Sequence, residues 1–292
     1  MSAPWLLLWL GSLPCLPVEL GRLPPAPAPP PVQDAPAPPA TLPPPPPPPL
    51  PPLPPPLAMR EEARYRITYG ILGGVGEVRL SIEGERAEGQ NRLIKAGAFA
   101  EGSIVGLGAM QKRIELDFDP TAQGSRRWTT VRVRGGQTTT DVIDQPRSGS
   151  LQLVRQQQGQ TTETHQASFS LSTFDAMGLL LRLRTSPPVA GQTLVLQLLD
   201  GLALWRITLT AHGREVLPDS NDGGARAIWS LRLDGVAQPI FYDGTPDPGD
   251  RPRRTFSLWL SDDQPRIPLR LSMPVGISDV IVQLVDLTRH AR

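Results

Sequence analysis

Cysteine is nearly absent. Cys15 is the one cysteine in 292 residues, so no disulfide framework can hold the fold. Histidine is almost as scarce: His165, His212 and His290 stand singly, none with a partner at metal-ligand or i, i+4 spacing, which leaves little for a zinc site. Neither sign of charge is in excess. Lys+Arg 29 against Asp+Glu 28 gives +1, without the basic footprint that nucleic-acid binding requires. Lys95 and Lys112 are the two lysines, and the remaining cations are arginines, a bias better explained by a GC-rich genome than by a binding role. A bilayer-spanning run is also missing. The uncharged stretch from Ala3 to Val18 is 16 residues, short of the roughly 20 that span a hydrocarbon core, and Pro14 and Pro17 interrupt its second half as a helix.

Proline is what the chain has in quantity: 36 residues, of which 24 fall in the first 60. The composition therefore divides the chain into an apolar signal or anchor segment (1–20), a proline-rich spacer (21–59) and a globular stretch (60–290) large enough to bury a core unaided. The apolar segment has the length of a secretory signal but lacks basic residues before it and a clean small-x-small cleavage site after it. It reads as an imperfect signal, as an inner-membrane anchor, or as the inner part of a longer anchor, with an apolar accident as the bland alternative. Cys15 follows Pro14, a poor context for lipidation. From Pro24 to Pro56 the chain is almost only Pro, Ala and Leu, with Asp34 the single charge. Such a segment adopts polyproline II and at about 3.1 Å per residue reaches roughly 100 Å, a spacer holding a domain away from a membrane. A ligand for aromatic-grooved proline-binding domains is the competing reading, but no flanking basic residue fixes an orientation.

Period-two alternation dominates the globular stretch. Tyr65, Ile67, Tyr69 and Ile71 share one face, Gly73-Gly74 turns the chain, and Val78, Leu80 and Ile82 alternate in return, a β-hairpin signature. The pattern recurs at Ile114–Phe118, Trp128–Val133, Ala203–Leu209, Ala227–Leu233, Phe256–Leu260, Ile267–Leu271 and Val280–Leu284. Nine or more such strands imply a mainly β fold: a curved antiparallel sheet or partly closed β-barrel with one wet face. One α-helix interrupts it. Ser172 opens that helix as a capping box with Asp175. Phe174, Met177, Gly178 and Leu181 form a helical stripe, and the helix stops before Pro187-Pro188. Leu179, Leu180 and Leu183 fill the rest of its surface, so it is expected to be buried nearly all round, plugging or covering the concave side of the sheet. Residues 235–254 read as a long solvated loop, ending in Arg251, Arg253 and Arg254.

Catalytic motifs are missing. There is no Gly-x-Ser-x-Gly elbow, phosphate loop or His-Glu-x-x-His, and Gly73, Gly74 and Gly76 belong to a hairpin rather than a dinucleotide site. Asp262 and Asp263, in Ser261-Asp262-Asp263-Gln264-Pro265-Arg266, would serve as acid and base only if their environments split their pKa values; turn chemistry explains them better. Each histidine reads as a surface or hydrogen-bonded group. No catalytic, cofactor or metal residue is assigned.

Tyr65-Arg66-Ile67-Thr68-Tyr69-Gly70 with Val75-Gly76-Glu77-Val78-Arg79-Leu80, the helix Phe174–Arg184 followed by Gly191, and Leu258-Trp259-Leu260-Ser261-Asp262-Asp263 before Arg266-Ile267-Pro268-Leu269-Arg270-Leu271 together resemble, over about residues 61–288, bacterial domain-of-unknown-function family number 3108. The resemblance implies an exported, mostly β envelope protein of Gram-negative bacteria, and no activity, cofactor or site residue comes with it. The leader is similar in composition, and in that alone, to the periplasm-crossing segments of TonB-like proteins.

The expectation is thus a periplasmic protein, secreted or inner-membrane anchored, acting as a non-enzymatic binding module for an apolar ligand such as a lipid held on the concave face. That idea fails if Trp128, Trp205, Trp229 and Trp259 fill the core. The alternative is an envelope scaffold docking to another protein through a sheet edge or the arginine-bearing loop. A hydrolase using Asp262 or Asp263 is the third reading. Nucleic acid is not expected as a partner.

Overall fold

The computed structural model describes residues 59–70, 73–88, 91–104, 108–145, 150–168, 173–218, 227–249, 251–263, 266–276 and 278–291. The apolar segment and all but the last residue of the proline-rich spacer lie outside the described residues, as do Ile71 and Ser172.

Eight strands come first: β1 (Met59–Tyr69), β2 (Gly74–Glu88), β3 (Asn91–Ile104), β4 (Gly108–Asp119), β5 (Gly124–Arg134), β6 (Gln137–Asp144), β7 (Ser150–Gln157) and β8 (Gln160–Ser168). The short β9 (Thr173–Phe174) and the helix α1 (Ala176–Thr185) follow. The chain ends with β10 (Thr193–Asp200), β11 (Ala203–Pro218), β12 (Ala227–Ile240), β13 (Arg254–Ser261), β14 (Pro268–Val275) and β15 (Ser278–Ala291). The strands join in one sheet in the order β8-β7-β6-β5-β4-β3-β2-β1-β15-β14-β13-β12-β11-β10-β9. Apart from β8 and β9, strands consecutive in sequence are neighbours in space, the first strand pairs antiparallel with the last, and the ladder has its two ends at β8 and β9. It is a meander that returns on itself and stays unclosed at one place.

The period-two pattern is what places the core. Ala63, Tyr65 and Ile67 on β1, Val78, Leu80 and Ile82 on β2, and Ile114, Leu116 and Phe118 on β4 are buried, while Arg64, Arg66, Arg79, Arg113 and Glu115 between them are exposed. Tight turns keep the strands antiparallel. Gly135 and Gly136 both have positive φ, 55° and 77°, as a two-residue hairpin of the type I′ kind demands.

The helix occupies the interior of the bend. It packs against β3, β4 and β5 on one side and β9 and β10 on the other, and β9 itself packs on β5, so the sheet curls around it. Eight of its ten residues are buried. Leu179, Leu180, Leu181 and Leu183 are among them, and each contributes about 1.5–3 kcal/mol of apolar burial. Its N-cap is Asp175 rather than Ser172. The Asp175 carboxylate accepts from Met177 N at 2.8 Å and Gly178 N at 3.0 Å and from Ser125 Oγ on β5 at 3.1 Å, while Thr173 and Phe174 have been drawn into β9. Burial raises the Asp175 pKa, against the pull of those donors. At the other end Arg184 makes a two-pronged ion pair with Glu61 of β1, at 2.7 and 3.0 Å, both buried. The plug is thus pinned to β5 at its start and to β1 at its end.

One expectation is corrected. Residues 235–240 are the end of β12, not loop: Ala237 and Ile240 are buried and Phe256 packs directly over Gly235. Pro239 is tolerated there because the β13 ladder ends at Ala237–Arg254, leaving Pro239 paired with Trp205 of β11 alone. The four tryptophans do not share one environment. Trp128 and Trp205 are core residues, Trp229 is 56% exposed, and Trp259 lies on the outer face between Arg232 and Arg270, whose guanidinium carbons stand 5.5 and 5.4 Å from its ring.

Candidate functional site

A large depression lies on the wet face of the sheet. It is a groove of about 900 Å³ across β15, β1, β2, β3, β4 and β5. Register explains its shape. Glu62, Ser81, Gly97, Glu115 and Thr129 face one another from strand to strand, and the small Ser81 and Gly97 leave a low floor at the middle of that row. Two residues along the strands, the next row reads Arg64, Arg79, Phe99 and Arg113 and forms one bank. Lys95, Asp117 and Arg127 form the other. The bank is cationic with an aromatic ring at its centre, but not of one sign: Arg79 pairs with Glu77 at 2.6 Å and Arg113 with Glu115 at 2.5 Å. These are solvated pairs worth little to stability, which leaves the groups free to exchange partners for a charged ligand.

By contrast the interior side of the sheet is filled. Besides α1, the largest fully buried side chains there include Trp128, Trp205, Phe118 and Phe174. A small depression beside Tyr65, Leu258 and Leu271 holds about 10 Å³.

A second polar cluster is buried where the β10–β11 turn meets β4–β7. Lys112 Nζ donates to Asp200 Oδ1 at 2.6 Å, with side-chain exposures of 3% and 8%. Arg132 stands 3.8 Å from Asp200 and pairs with Asp141, which also receives Arg155 Nε at 2.7 Å. Gly201 has φ of 60°, and a Cβ there would come within 2.6 Å of Arg132 and 2.8 Å of Arg155. Tyr242 donates to Leu202 O at 3.0 Å, and its ring stacks on His165 of β8. Burial lowers the Lys112 pKa, with Asp200 working against it. Among the described residues no ladder joins the two ends of the sheet, so this cluster fastens the turn to the far half.

The residues singled out by the sequence do not come together. Asp262 pairs with Arg214 on β11 and lies 3.7 Å from Arg266. Its N–H donates to Trp229 O, and Arg266 N donates to Asp263 O at 2.7 Å, which is turn geometry. His165 bonds Glu163 at 3.1 Å and His212 bonds Asp234 at 2.9 Å, while His290 is exposed on β15. The loop before β13 is anchored rather than free. Arg206 donates to Gly244 O at 2.7 Å, and Arg251 pairs with Asp247 and lies over the Trp205 ring. Among the described residues no group of three His, Cys, Asp or Glu is placed to hold a metal, and no helix is long and apolar enough to cross a membrane.

The buried charges Glu61, Lys112, Asp141 and Arg184 were missed from the sequence, although three of them carried a signal. Glu61 stands in phase with Ala63 and Tyr65, Lys112 with Ile114 and Leu116, and Asp141 with Ile143, each a charge in the apolar phase of its strand.

This arrangement defines a mainly β domain, an unclosed curved antiparallel sheet with one helix inside it. The model of a family described as protein of unknown function (DUF3108) matches residues 64–285, and the chain belongs to that family. No curated protein matches it. Among solved structures it is similar to a beta-barrel-like protein of the DUF1849 domain family from Brucella abortus, at 11% identity and a TM-score of 0.46, over 80% of this chain and 99% of that one. It is also similar to a protein from Parabacteroides distasonis described as a lipoprotein, at 6% identity and a TM-score of 0.34, over 80% and 97%. A third, from Bacteroides fragilis and described as exported with a YmcC-like fold, is 8% identical with a TM-score of 0.33, over 78% and 95%.

Proposed function

We propose that this protein is a non-catalytic binding module of the bacterial cell envelope, and that its ligand is polar and charged and lies in the groove over Ser81 and Gly97. The observation that carries this reading is where the space is: about 900 Å³ on the wet face, against an interior occupied by α1. An apolar ligand such as a lipid would need the helix to leave, and its four buried leucines alone set that cost at about 6–12 kcal/mol. The envelope location rests on the uncharged stretch Ala3–Val18 and the proline-rich spacer behind it, which suit a domain held off the inner membrane in the periplasm.

Native mass spectrometry of the full chain isolated from the periplasm, with extraction of whatever is bound, tests the proposal. The expected result is a stoichiometric polar adduct that is lost in Arg79→Glu/Arg113→Glu, two residues more than 60% exposed whose replacement leaves the core untouched. An adduct of lipid mass that survives those substitutions would put the ligand inside the sheet instead. A bare protein mass would favour the scaffold reading, and deleting residues 244–254 would then be expected to abolish partner capture.

A further inference from the structure

Several guanidiniums on the outer face of the sheet stand beside a carboxylate: Arg79 pairs with Glu77, Arg113 with Glu115 and Arg232 with Asp234. One stretch of that face departs from this. Strand register sets Arg66 of β1, Gln283 of β15, Arg270 of β14 and Trp259 of β13 side by side in a single row. Among the described residues neither Arg66 nor Arg270 has an ion pair. Glu77 faces Arg66 from β2 but is bonded to Arg79. Beyond Trp259, Asp234 is held by Arg232 and Ser257, and Glu215 by the Trp259 indole. Arg270 is the better fixed of the two arginines. Its guanidinium carbon stands 5.4 Å from the centre of the Trp259 ring, which is itself anchored through Glu215 and Arg232. Arg270 Nε is buried with no hydrogen-bond partner. The ring contact offsets part of the lost hydration, yet a buried donor without a protein acceptor is costly.

We propose that the row Arg66–Gln283–Arg270 binds a phosphoryl group. The two arginines are two strands apart, roughly 10 Å at the backbone, and their long side chains reach over Gln283 between them. Gln283 adds an amide donor, and Ser272, the next outward residue of β14, adds a hydroxyl. A planar carboxylate is satisfied by one guanidinium fork. Donors that arrive from both sides and from below suit instead the three oxygens of a tetrahedral phosphoryl group. Trp259 holds Arg270 in place, so less side-chain freedom is lost when the anion binds. The row lies outside the groove, whose lining includes none of Arg66, Gln283 and Arg270, so either site can fail without the other.

The test follows the arginine Nε–H signals of the full chain by NMR while inorganic phosphate replaces chloride at constant ionic strength. The Arg66 and Arg270 signals are expected to shift saturably. Arg66→Gln, at an exposed position, should raise the dissociation constant about tenfold, the worth of one charge-assisted hydrogen bond, and Arg66→Gln/Arg270→Gln should abolish saturation. Arg60→Gln/Arg253→Gln removes two exposed arginines elsewhere and should change nothing. A second arm compares sedimentation with phosphatidylglycerol and with phosphatidylcholine vesicles. A preference for phosphatidylglycerol that Arg66→Gln/Arg270→Gln removes identifies the phosphoryl group as a lipid headgroup; saturation by free phosphate without that preference identifies a soluble ligand. Signals that move with neither probe, signals that move as far with acetate, or binding unchanged in Arg66→Gln/Arg270→Gln would each overturn the proposal.

Discussion

Replacing Gly178 by alanine puts a methyl group where α1 comes closest to the sheet. A Cβ at this position would overlap Ser125 Oγ on β5 and lie 2.9 Å from Asp175 Oδ2. In an ordinary helix the same change stabilises by about 1 kcal/mol, because glycine gives up more backbone entropy than alanine. Here the overlap costs about 1–3 kcal/mol. Pushing Ser125 Oγ away also takes a donor from the buried Asp175 carboxyl, which costs about 1–3 kcal/mol more. The net expectation is a destabilisation of about 1–5 kcal/mol, opposite in sign to the helix propensity. Urea unfolding followed by tryptophan fluorescence reads it, since Trp128 and Trp205 are both buried in the core. Ser125→Ala alone should cost about 1–3 kcal/mol through the lost hydrogen bond. In the double variant the overlap is relieved, so the two effects should fall short of additive by at least about 1 kcal/mol. A stabilised Gly178→Ala protein, or an additive cycle, would refute the placement of the helix inside the sheet.

Two more outcomes follow from buried and half-buried charges. Arg184→Met leaves the buried Glu61 with Arg289, 3.5 Å away, so it should cost less than the roughly 3–5 kcal/mol of a fully orphaned buried charge, and Arg184→Met/Glu61→Gln should recover much of that loss; thermal unfolding of both variants checks it. Asp119 is held below its ordinary 3.8 because, although burial pushes it up, the N–H groups of Ala122 and Thr121 and the Arg126 guanidinium together outweigh burial. A depressed carboxyl contributes stability that is present above its unfolded pKa and lost as pH falls through the folded one. Asp119→Asn should therefore flatten the fall in stability below about pH 3.8 without altering its shape near neutrality, and an unchanged acid limb would count against the assignment.

How legible the fold was depended on side-chain size. Strands with large apolar residues on every second position, such as Tyr65–Ile67 and Phe256–Leu260, announced themselves. β3 did not, because its inward positions Ala96, Ala98 and Ala100 contrast weakly with Gly97 between them. β7 and β8 did not either: β7 has only Leu151 and Leu153 in its inward phase, both buried, and β8 at the sheet's margin is mostly Gln and Thr, so little apolar periodicity was written into them. Asp175 was assigned to the third position of a capping box because Ser172 suits a cap, but pairing of Thr173 and Phe174 with β10 moved the helix start by one turn.

What the sequence by itself determined is what local pattern can encode: a mainly β domain, one short helix buried all round, a proline-rich leader, and a family membership carried by spaced motifs. Which face of that sheet holds the groove, that the helix fills the interior, and that Lys112, Asp141 and Asp200 meet in one buried cluster were decided by tertiary structure. The reason is register. Residues far apart in the chain become neighbours only when strand pairing sets which positions face each other, and a shift of one residue would send every one of them to the opposite face.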